Sequence, residues 1–297
     1  MKHLANLTDP KIEKLYADVP PEEIRKFRTF CDAYPYRRIS HAGIEWPYLS
    51  SSGAGTPLLI LSGALTHPDV SWQSLSHFGE KSRIVGPAYP AARTMDELCD
   101  GIAAILRHEG IESAHVIGGS YGGFVGQVFV RRFPALTRSL ILSHTVAPDS
   151  TGLERIRRMW KGLTLLPTGA LRWLLGRSLG KLMPTDASSP AVLLLLAMFH
   201  EVMNHHLAKA DFLAIMDRTL DFYGRNFTAQ DLAGWPGQAL LVLAEDDPAS
   251  PEKVRIALES LYPRAELCLF HGTGHTTAVT NQAEYQAVMD EFLQAQA

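Results

Sequence analysis

Short runs of apolar residues alternate along this chain with amphipathic segments of helical period. Four such runs lie at residues 57–61, 115–117, 139–143 and 239–243. A strand that is apolar on both faces lies buried between two layers, as in a parallel sheet covered by helices. The alternation therefore predicts an α/β fold with a mostly parallel central sheet flanked by helices.

The same pattern divides the chain into three parts. Residues 1–35 are polar and helical and form a predicted N-terminal helical extension. Residues 36–147 and 228–297 carry the alternation and form the predicted core. Residues 148–227 are rich in Leu, Met and Trp, with Arg and Lys between them, and show no strand signal. We interpret them as an all-helical cap inserted between two strands of the core.

Composition excludes several classes of protein. Hydrophobic residues make up 46% and charged residues 20% of the chain, which is typical of a globular protein with a sizeable core. A net charge of −3 gives no basic excess, so we expect no nucleic-acid partner. The three cysteines lack metal-ligand spacing and indicate reduced thiols in a cytoplasmic protein. The longest apolar run, 191–199, is far shorter than the roughly 20 residues of a bilayer span, so no membrane span is expected.

The segment from Gly118 to Gly123 reads Gly-Gly-Ser-Tyr-Gly-Gly and contains the pattern G-x-S-x-G. A strand precedes it and a helix follows, which is the setting of a nucleophile elbow. The tight turn leaves no room for side chains at Gly118 and Gly122. It lifts the hydroxyl of Ser120 above the sheet edge, beside a helix N-terminus that favours an anion. Ser120 is the predicted nucleophile, and the alternative is a glycine-rich turn with an inert serine.

A serine hydroxyl is a weak nucleophile at neutral pH and needs a base. His275 lies in a glycine-spaced loop between a predicted strand and the last helix, from which it can reach inward. His275 is therefore the predicted base, and His271, nearer the strand, is the alternative.

The base in turn needs a carboxylate that fixes its tautomer. Glu245, Asp246 and Asp247 follow the strand at 239–243, at the sheet edge where open α/β proteins build their sites. Asp247 precedes a proline, which holds it extended at the start of the loop. We predict Asp247 as the acid, with Asp246 and Glu245 as alternatives.

An acyl-transfer site also needs donors for an oxyanion. We predict the N–H groups of Tyr121, directly after the nucleophile, and of Ala64, in the turn after the strand at 57–61. Four residues are predicted to touch the substrate: His67, His144, Trp160 and Phe199. The cap histidines lack partner carboxylates at ligand spacing, so we predict neither a metal site nor a cofactor.

The order Ser120, Asp247, His275, on this alternation and with a helical insertion after the strand at 139–143, resembles the α/β-hydrolase family over roughly residues 37–297. The resemblance implies an α/β-hydrolase fold, Ser120 as nucleophile, Asp247 as acid, His275 as base and residues 148–227 as a lid. Two turns depart from the common family pattern. Ser62-Gly63 stands where many members have His-Gly. Gly86-Pro87-Ala88-Tyr89-Pro90 stands where many members have Asp-x-x-Gly-x-Gly. Together with Asp100-Gly101 and Leu261-Tyr262-Pro263, this run distantly resembles the maspardin-like branch, which includes members suspected to be non-catalytic.

A serine at the elbow indicates acyl chemistry. The expected function is a serine hydrolase that cleaves a small or medium, mostly apolar carboxylic ester through an acyl-enzyme on Ser120. The expected partner is a small-molecule acyl substrate, and a homodimer is compatible with the apolar cap. The alternatives are a C–C bond hydrolase, a lyase or an acyltransferase on the same fold, or a non-catalytic binding protein.

Overall fold

A computed structural model describes residues 1–184 and 188–296 of the chain. Within these residues eight strands form one sheet in the order β1-β2-β4-β3-β5-β6-β7-β8, and β2 runs opposite to the other seven. The strands are β1 (Tyr36–His41), β2 (Ile44–Ser50), β3 (Gly55–Leu61), β4 (Ser82–Pro87), β5 (Ala114–Gly119), β6 (Thr137–Ser143), β7 (Ala239–Ala244) and β8 (Glu266–Phe270). The predicted mostly parallel α/β sheet is confirmed.

Helices connect and cover the strands. They are α1 (Pro10–Leu15), α2 (Pro21–Ala33), α3 (Trp72–Gly79), α4 (Met95–His108), α5 (Tyr121–Arg132), α6 (Leu153–Leu163), α7 (Thr168–Gly180), α8 (Pro190–Glu201), α9 (Lys209–Tyr223), α10 (Glu252–Leu261), α11 (Thr277–Thr280) and α12 (Gln282–Ala295). Helix α4 begins with a capping box between Thr94 and Glu97.

The parallel arrangement gathers four loops at one edge of the sheet. Strands β3, β5, β7 and β8 are parallel, so their carboxyl ends meet there. The loops after these strands carry Ala64, Ser120, Asp247 and His275 respectively. Residues far apart in the sequence are thereby brought to one site.

Helices α6 to α9 lie between β6 and β7 in the chain and bury their apolar faces in two places. Helix α8 and one face of α9, with Phe212, Ile215 and Phe222, join the main core. Helices α6, α7 and the other face of α9 share a second cluster of Leu153, Trp160, Leu171 and Leu220. The N-terminal helices α1 and α2 pack against α8. Among the described residues no single helix is long and apolar enough to cross a membrane. One bent pair, Pro190–His206 with Lys209–Tyr223, reaches that length and hydropathy only when its halves are taken together.

Candidate active site

Ser120 stands at the turn between β5 and α5, in a backbone conformation that few side chains adopt. Its φ of 52° and ψ of −121° lie outside the ordinary regions for an L-residue. Neighbouring backbone leaves no space for a Cβ at the flanking glycines. A Cβ added to Gly118 would lie 2.4 Å from the carbonyl oxygen of Gly122, and a Cβ added to Gly122 would lie 2.4 Å from the carbonyl oxygen of Leu61. The elbow holds Ser120 at the sheet edge.

Three side chains form a continuous hydrogen-bonded chain at this edge. The Oγ of Ser120 lies 3.0 Å from Nε2 of His275, and Nδ1 of His275 lies 2.8 Å from Oδ2 of Asp247. Asp247 is 2% exposed and also accepts hydrogen bonds from the Ala249 N–H and the Ser250 hydroxyl. Burial raises the pKa of Asp247, but the bond to His275 and these donors outweigh it and hold that pKa below its usual value. The carboxylate is therefore kept ionised against His275.

Each acid after β7 contacts a different part of the loop that carries His275. Glu245 lies 2.8 Å from Nδ1 of His271 on the exposed surface. Asp246 accepts hydrogen bonds from the backbone N–H groups of Thr273 and Gly274, at 3.2 and 3.0 Å. Only Asp247 reaches His275. The alternatives left open by the sequence are thus separated by geometry.

Two backbone N–H groups near Ser120 have no hydrogen-bond partner in the described part of the chain. One belongs to Tyr121, the first residue of α5, and the other to Ala64, in the turn after β3. The first N–H groups of a helix lack intrahelical acceptors. Tyr121 directly follows Ser120 in the chain, and Ala64 lines the same cavity as Ser120.

A cavity of about 190 Å³ opens onto Ser120 and His275. Its wall is largely apolar. The main contributors are Leu65, Val70, Ile117, Leu179, Leu182, Met183, Leu195, Phe199 and Val279. Of the four residues predicted to touch the substrate, His67, His144 and Phe199 line this cavity.

Trp160 does not line the cavity. It lies in the second hydrophobic cluster, 6% exposed, and its indole N–H donates a hydrogen bond of 2.9 Å to Asp217. The apolar face of α6 is used to join α6 to α7 and α9, so the prediction for Trp160 is corrected here.

Comparison with known proteins decides the family. A family model described as "Alpha/beta hydrolase family" matches residues 24–291. The chain belongs to the alpha/beta hydrolase family.

Relatives of this alpha/beta hydrolase differ in what they are named for. A Pantoea ananatis protein named "Putative carbamate hydrolase RutD" is 25% identical over 208 residues, 70% of this chain and 74% of the relative. The 2-hydroxymuconate semialdehyde hydrolase of Pseudomonas sp. strain CF600 is 24% identical, over 86% of this chain and 93% of its own. A solved thermophilic esterase from Thermogutta terrifontis is 18% identical with a TM-score of 0.72, covering 88% of this chain and 98% of its own. That structure shares the fold.

A second histidine, His144, is hydrogen-bonded to the segment that follows His275. The Tyr285 hydroxyl donates to Ser143 Oγ at 3.0 Å, which leaves the Ser143 hydroxyl to donate to His144 Nδ1 at 2.8 Å. The Nε2 of His144 then donates to Thr277 Oγ1 at 2.7 Å. Burial, together with the neighbouring His275, lowers the pKa of His144 to about 4. His144 is therefore neutral and holds Thr277 in place.

His67 is fixed in one tautomer by a similar chain. The Tyr36 hydroxyl donates to Asp69 at 2.9 Å, so its oxygen accepts from Nδ1 of His67 at 3.1 Å. The Nε2 of His67 is left without a partner in the described part of the chain. Burial lowers the pKa of His67 to about 4, although the nearby Asp69 opposes this.

One group of potential metal ligands lies beside His67. His3 Nδ1, Cys31 Sγ and a carboxylate oxygen of Asp69 lie within 4.8 Å of one another. Asp69 already accepts hydrogen bonds from His3, the Leu4 N–H and Tyr36. These bonds account for the cluster as an anchor for the N-terminus, and we assign no ion to it.

The buried neutral histidines lead us to predict that the folded state is less stable in acid. Burial lowers the pKa of His67, His115 and His144 to about 4, while the unfolded chain takes up protons near pH 6.5. Because the unfolded state binds more protons between these values, stability falls as pH decreases through this window. We expect a loss on the order of 2 kcal/mol per histidine between pH 7 and pH 5, measured by urea unfolding.

Single substitutions test the source of this loss. His115→Gln removes one buried titrating group away from the cavity and should flatten the pH dependence. His108→Gln, at an exposed histidine, should leave it unchanged. Equal stability at pH 7 and pH 5, or parallel curves for His115→Gln and wild type, would contradict the prediction.

Several cavity residues escaped sequence reasoning. Leu179, Leu182 and Val279 look like ordinary packing residues in the sequence, because an apolar helix face reads the same whether it meets a core or a substrate. The role of Thr277 beside His275 is likewise set by its hydrogen bond with His144, which follows β6 and lies 133 residues away in the chain. A local pattern carries no signal for such contacts.

Proposed function

We propose that this alpha/beta hydrolase is a serine hydrolase that cleaves a small or medium, mostly apolar carboxylic ester. The observation that best supports this proposal is the hydrogen-bonded chain from Ser120 through His275 to Asp247, which lies at the wall of an apolar cavity. A nucleophile within hydrogen-bond reach of a base, itself oriented by a third group, is the signature of nucleophilic catalysis.

Acylation begins when Ser120 Oγ attacks the ester carbonyl carbon and its proton passes to Nε2 of His275. The carbonyl oxygen becomes an oxyanion, held by the N–H groups of Ala64 and Tyr121. Asp247 stabilises the imidazolium and keeps the proton on Nδ1. When the ester C–O bond breaks, His275 gives its proton to the leaving alcohol, and the acyl group stays on Ser120.

Deacylation repeats the sequence with water. Nε2 of His275 takes a proton from water while the water oxygen attacks the acyl carbon. The bond between the acyl carbon and Ser120 Oγ then breaks, and the proton returns to that oxygen. The products are a carboxylic acid and the free serine.

The cavity wall supports an apolar, uncharged substrate. No Lys, Arg, Asp or Glu is among its described lining residues. A muconate carries a carboxylate, and no cation in this wall could pair with one, so a C–C hydrolase acting on such an anion is less favoured. The volume of about 190 Å³ lies below the roughly 300–1,000 Å³ of sites for drug-sized ligands. Short acyl chains fit best.

Hydrolysis of p-nitrophenyl esters from acetate to decanoate tests this proposal. We expect the highest kcat/KM at a short chain, and a shift to longer chains in Phe199→Ala, which enlarges the cavity. Leu171→Ala is the matched control, since Leu171 is equally buried but lies in the second cluster, away from the cavity. It should lower stability without moving the optimum.

The same enzyme is offered 2-hydroxymuconate semialdehyde and a simple carbamate. Turnover of either above all esters would reject ester hydrolysis as the main reaction. Transfer of the acyl group to an added alcohol in preference to water would indicate an acyltransferase. No reaction with any acyl donor would favour a non-catalytic binding protein.

A further inference from the structure

The three most exposed large apolar side chains of the described residues lie close together in the sequence. They are Leu165, Trp173 and Met159, which are 84%, 65% and 58% exposed. All three belong to residues 151–184, which contain α6, α7 and the turn between them, and which we call the cap hairpin. Three large apolar side chains this exposed on one short segment favour an interaction surface.

The cap hairpin is also strongly basic. Its charged residues are one glutamate and seven arginines and lysines, a net charge of +6 in a chain whose total is −3. The seven are Arg155, Arg157, Arg158, Lys161, Arg172, Arg177 and Lys181.

Most of this positive charge is left without a local partner. Arg157 pairs with Glu154 at 2.7 Å, and Arg172 donates to the Leu207 carbonyl. Arg155 and Arg158 are exposed and have no acidic partner within 4 Å in the described part of the chain. The cap hairpin therefore carries both free cations and exposed apolar side chains, and the Arg177 guanidinium lies 5.8 Å from the ring centre of Trp173.

We propose that the cap hairpin docks this protein on an anionic phospholipid surface. A tryptophan and aliphatic side chains that protrude from a basic helical surface enter the headgroup region, while the arginine and lysine side chains pair with lipid phosphates. Tryptophan favours that interface because its ring is apolar and its N–H is polar. Each basic residue near an anionic leaflet adds attraction.

A second copy of the chain is a poorer occupant of this surface. In a two-fold symmetric dimer the same patch meets itself, so +6 would face +6 across the contact. An acidic protein would satisfy the charge, but it would also need pockets to receive the three apolar side chains. A bilayer accepts them without shape complementarity.

The cap hairpin connects the proposed docking surface to the cavity. Leu179, Leu182 and Met183 line the cavity, and Leu179 lies only six residues after Trp173, about 9 Å along the helix. Docking would bring the cavity wall close to the bilayer, where apolar esters accumulate. This consequence rests on the proposed function, whereas the docking itself does not.

Sedimentation with vesicles tests the docking. The probes are vesicles of equal phosphatidylglycerol and phosphatidylcholine, and vesicles of phosphatidylcholine alone. We expect binding to the anionic vesicles that weakens as salt is raised, with a blue shift of tryptophan emission. Combining Arg155→Gln, Arg158→Gln and Lys161→Gln should lower the partition coefficient by about 100-fold. Trp173→Phe should keep most binding but lose the shift.

Matched variants elsewhere control for charge and apolar surface. Lys11→Gln with Lys14→Gln and Arg25→Gln removes the same charge from the N-terminal helices, and Ile256→Ser removes an exposed apolar side chain from α10. Both should bind like wild type, and every variant should keep its activity on a soluble short ester. No binding to anionic vesicles, or equal binding by the triple cap variant, would overturn the proposal. A cap variant that changes only the oligomeric mass would instead identify an interface between copies.

Discussion

Replacing Ser120 by alanine is expected to lower kcat/KM for a short p-nitrophenyl ester by at least about 10⁴-fold. Its hydroxyl lies 3.0 Å from Nε2 of His275, and we propose that it is the group that becomes acylated. The N–H groups of Ala64 and Tyr121 would still stabilise an attack by water, so a small residual rate should remain. Steady-state kinetics and covalent labelling by a fluorophosphonate measure the two consequences together.

Ser74→Ala is the matched control for this experiment. Ser74 lines the same cavity but has no hydrogen bond with His275 in the described part of the chain, so the rate and the labelling of Ser74→Ala should stay near wild type. The melting temperature of Ser120→Ala should also stay near wild type, since no buried hydrogen bond of the core is lost. If Ser120→Ala kept its ester hydrolysis or still took up the probe, another residue would be the nucleophile.

The central strands could be predicted because their environment is encoded residue by residue. In β7 every residue is buried, so every position is apolar or small, and no alternative element satisfies that pattern so well. The elbow is also a local feature. Gly118 is required by a backbone contact within the turn itself, and Gly122 is required by the close approach of β3 at Leu61.

Other parts of the candidate site depend on contacts between distant segments. Asp69 accepts a hydrogen bond from the N–H of Leu4, which is 65 residues away in the sequence. Glu201 accepts one from the N–H of Ala5, which is 196 residues away. These two buried carboxylates join the N-terminus to the turn beside the cavity and to α8. An acidic residue in a loop or a helix reads as a solvated group in the sequence, so neither role could be predicted.

The choice among the three acids after β7 could be predicted only in part. The sequence places them all at the correct sheet edge, but adjacent carboxylates look equivalent until the path of the opposing loop is known. Residues 271–275 meet Glu245, Asp246 and Asp247 one after another. A substitution at each position can therefore separate orientation of the loop from chemistry at His275.

Asp247→Asn should lower kcat by about 10⁴-fold at pH 7, with little change in KM. The carboxylate accepts the Nδ1 proton of His275 at 2.8 Å, which leaves Nε2 free to take the proton of Ser120. An amide can present its NH₂ group to Nδ1 instead, and the ring proton then occupies Nε2, where it blocks general-base catalysis. The pKa of Asp247 lies below its usual value, so its ionisation should contribute nothing to the rate profile between pH 6 and pH 9.

Asp246→Asn is the matched control, because it changes a neighbouring carboxylate that contacts the loop of His275 but not His275 itself. Asp246 accepts two backbone N–H bonds from the loop of His275, and an amide oxygen can keep one of them. We therefore expect a loss of no more than about tenfold, through a small displacement of the loop. A loss in Asp246→Asn equal to that in Asp247→Asn would mean that position of the loop, and not the tautomer of His275, limits the rate. A large loss confined to Asp247→Asn would identify it as the carboxylate that orients the base.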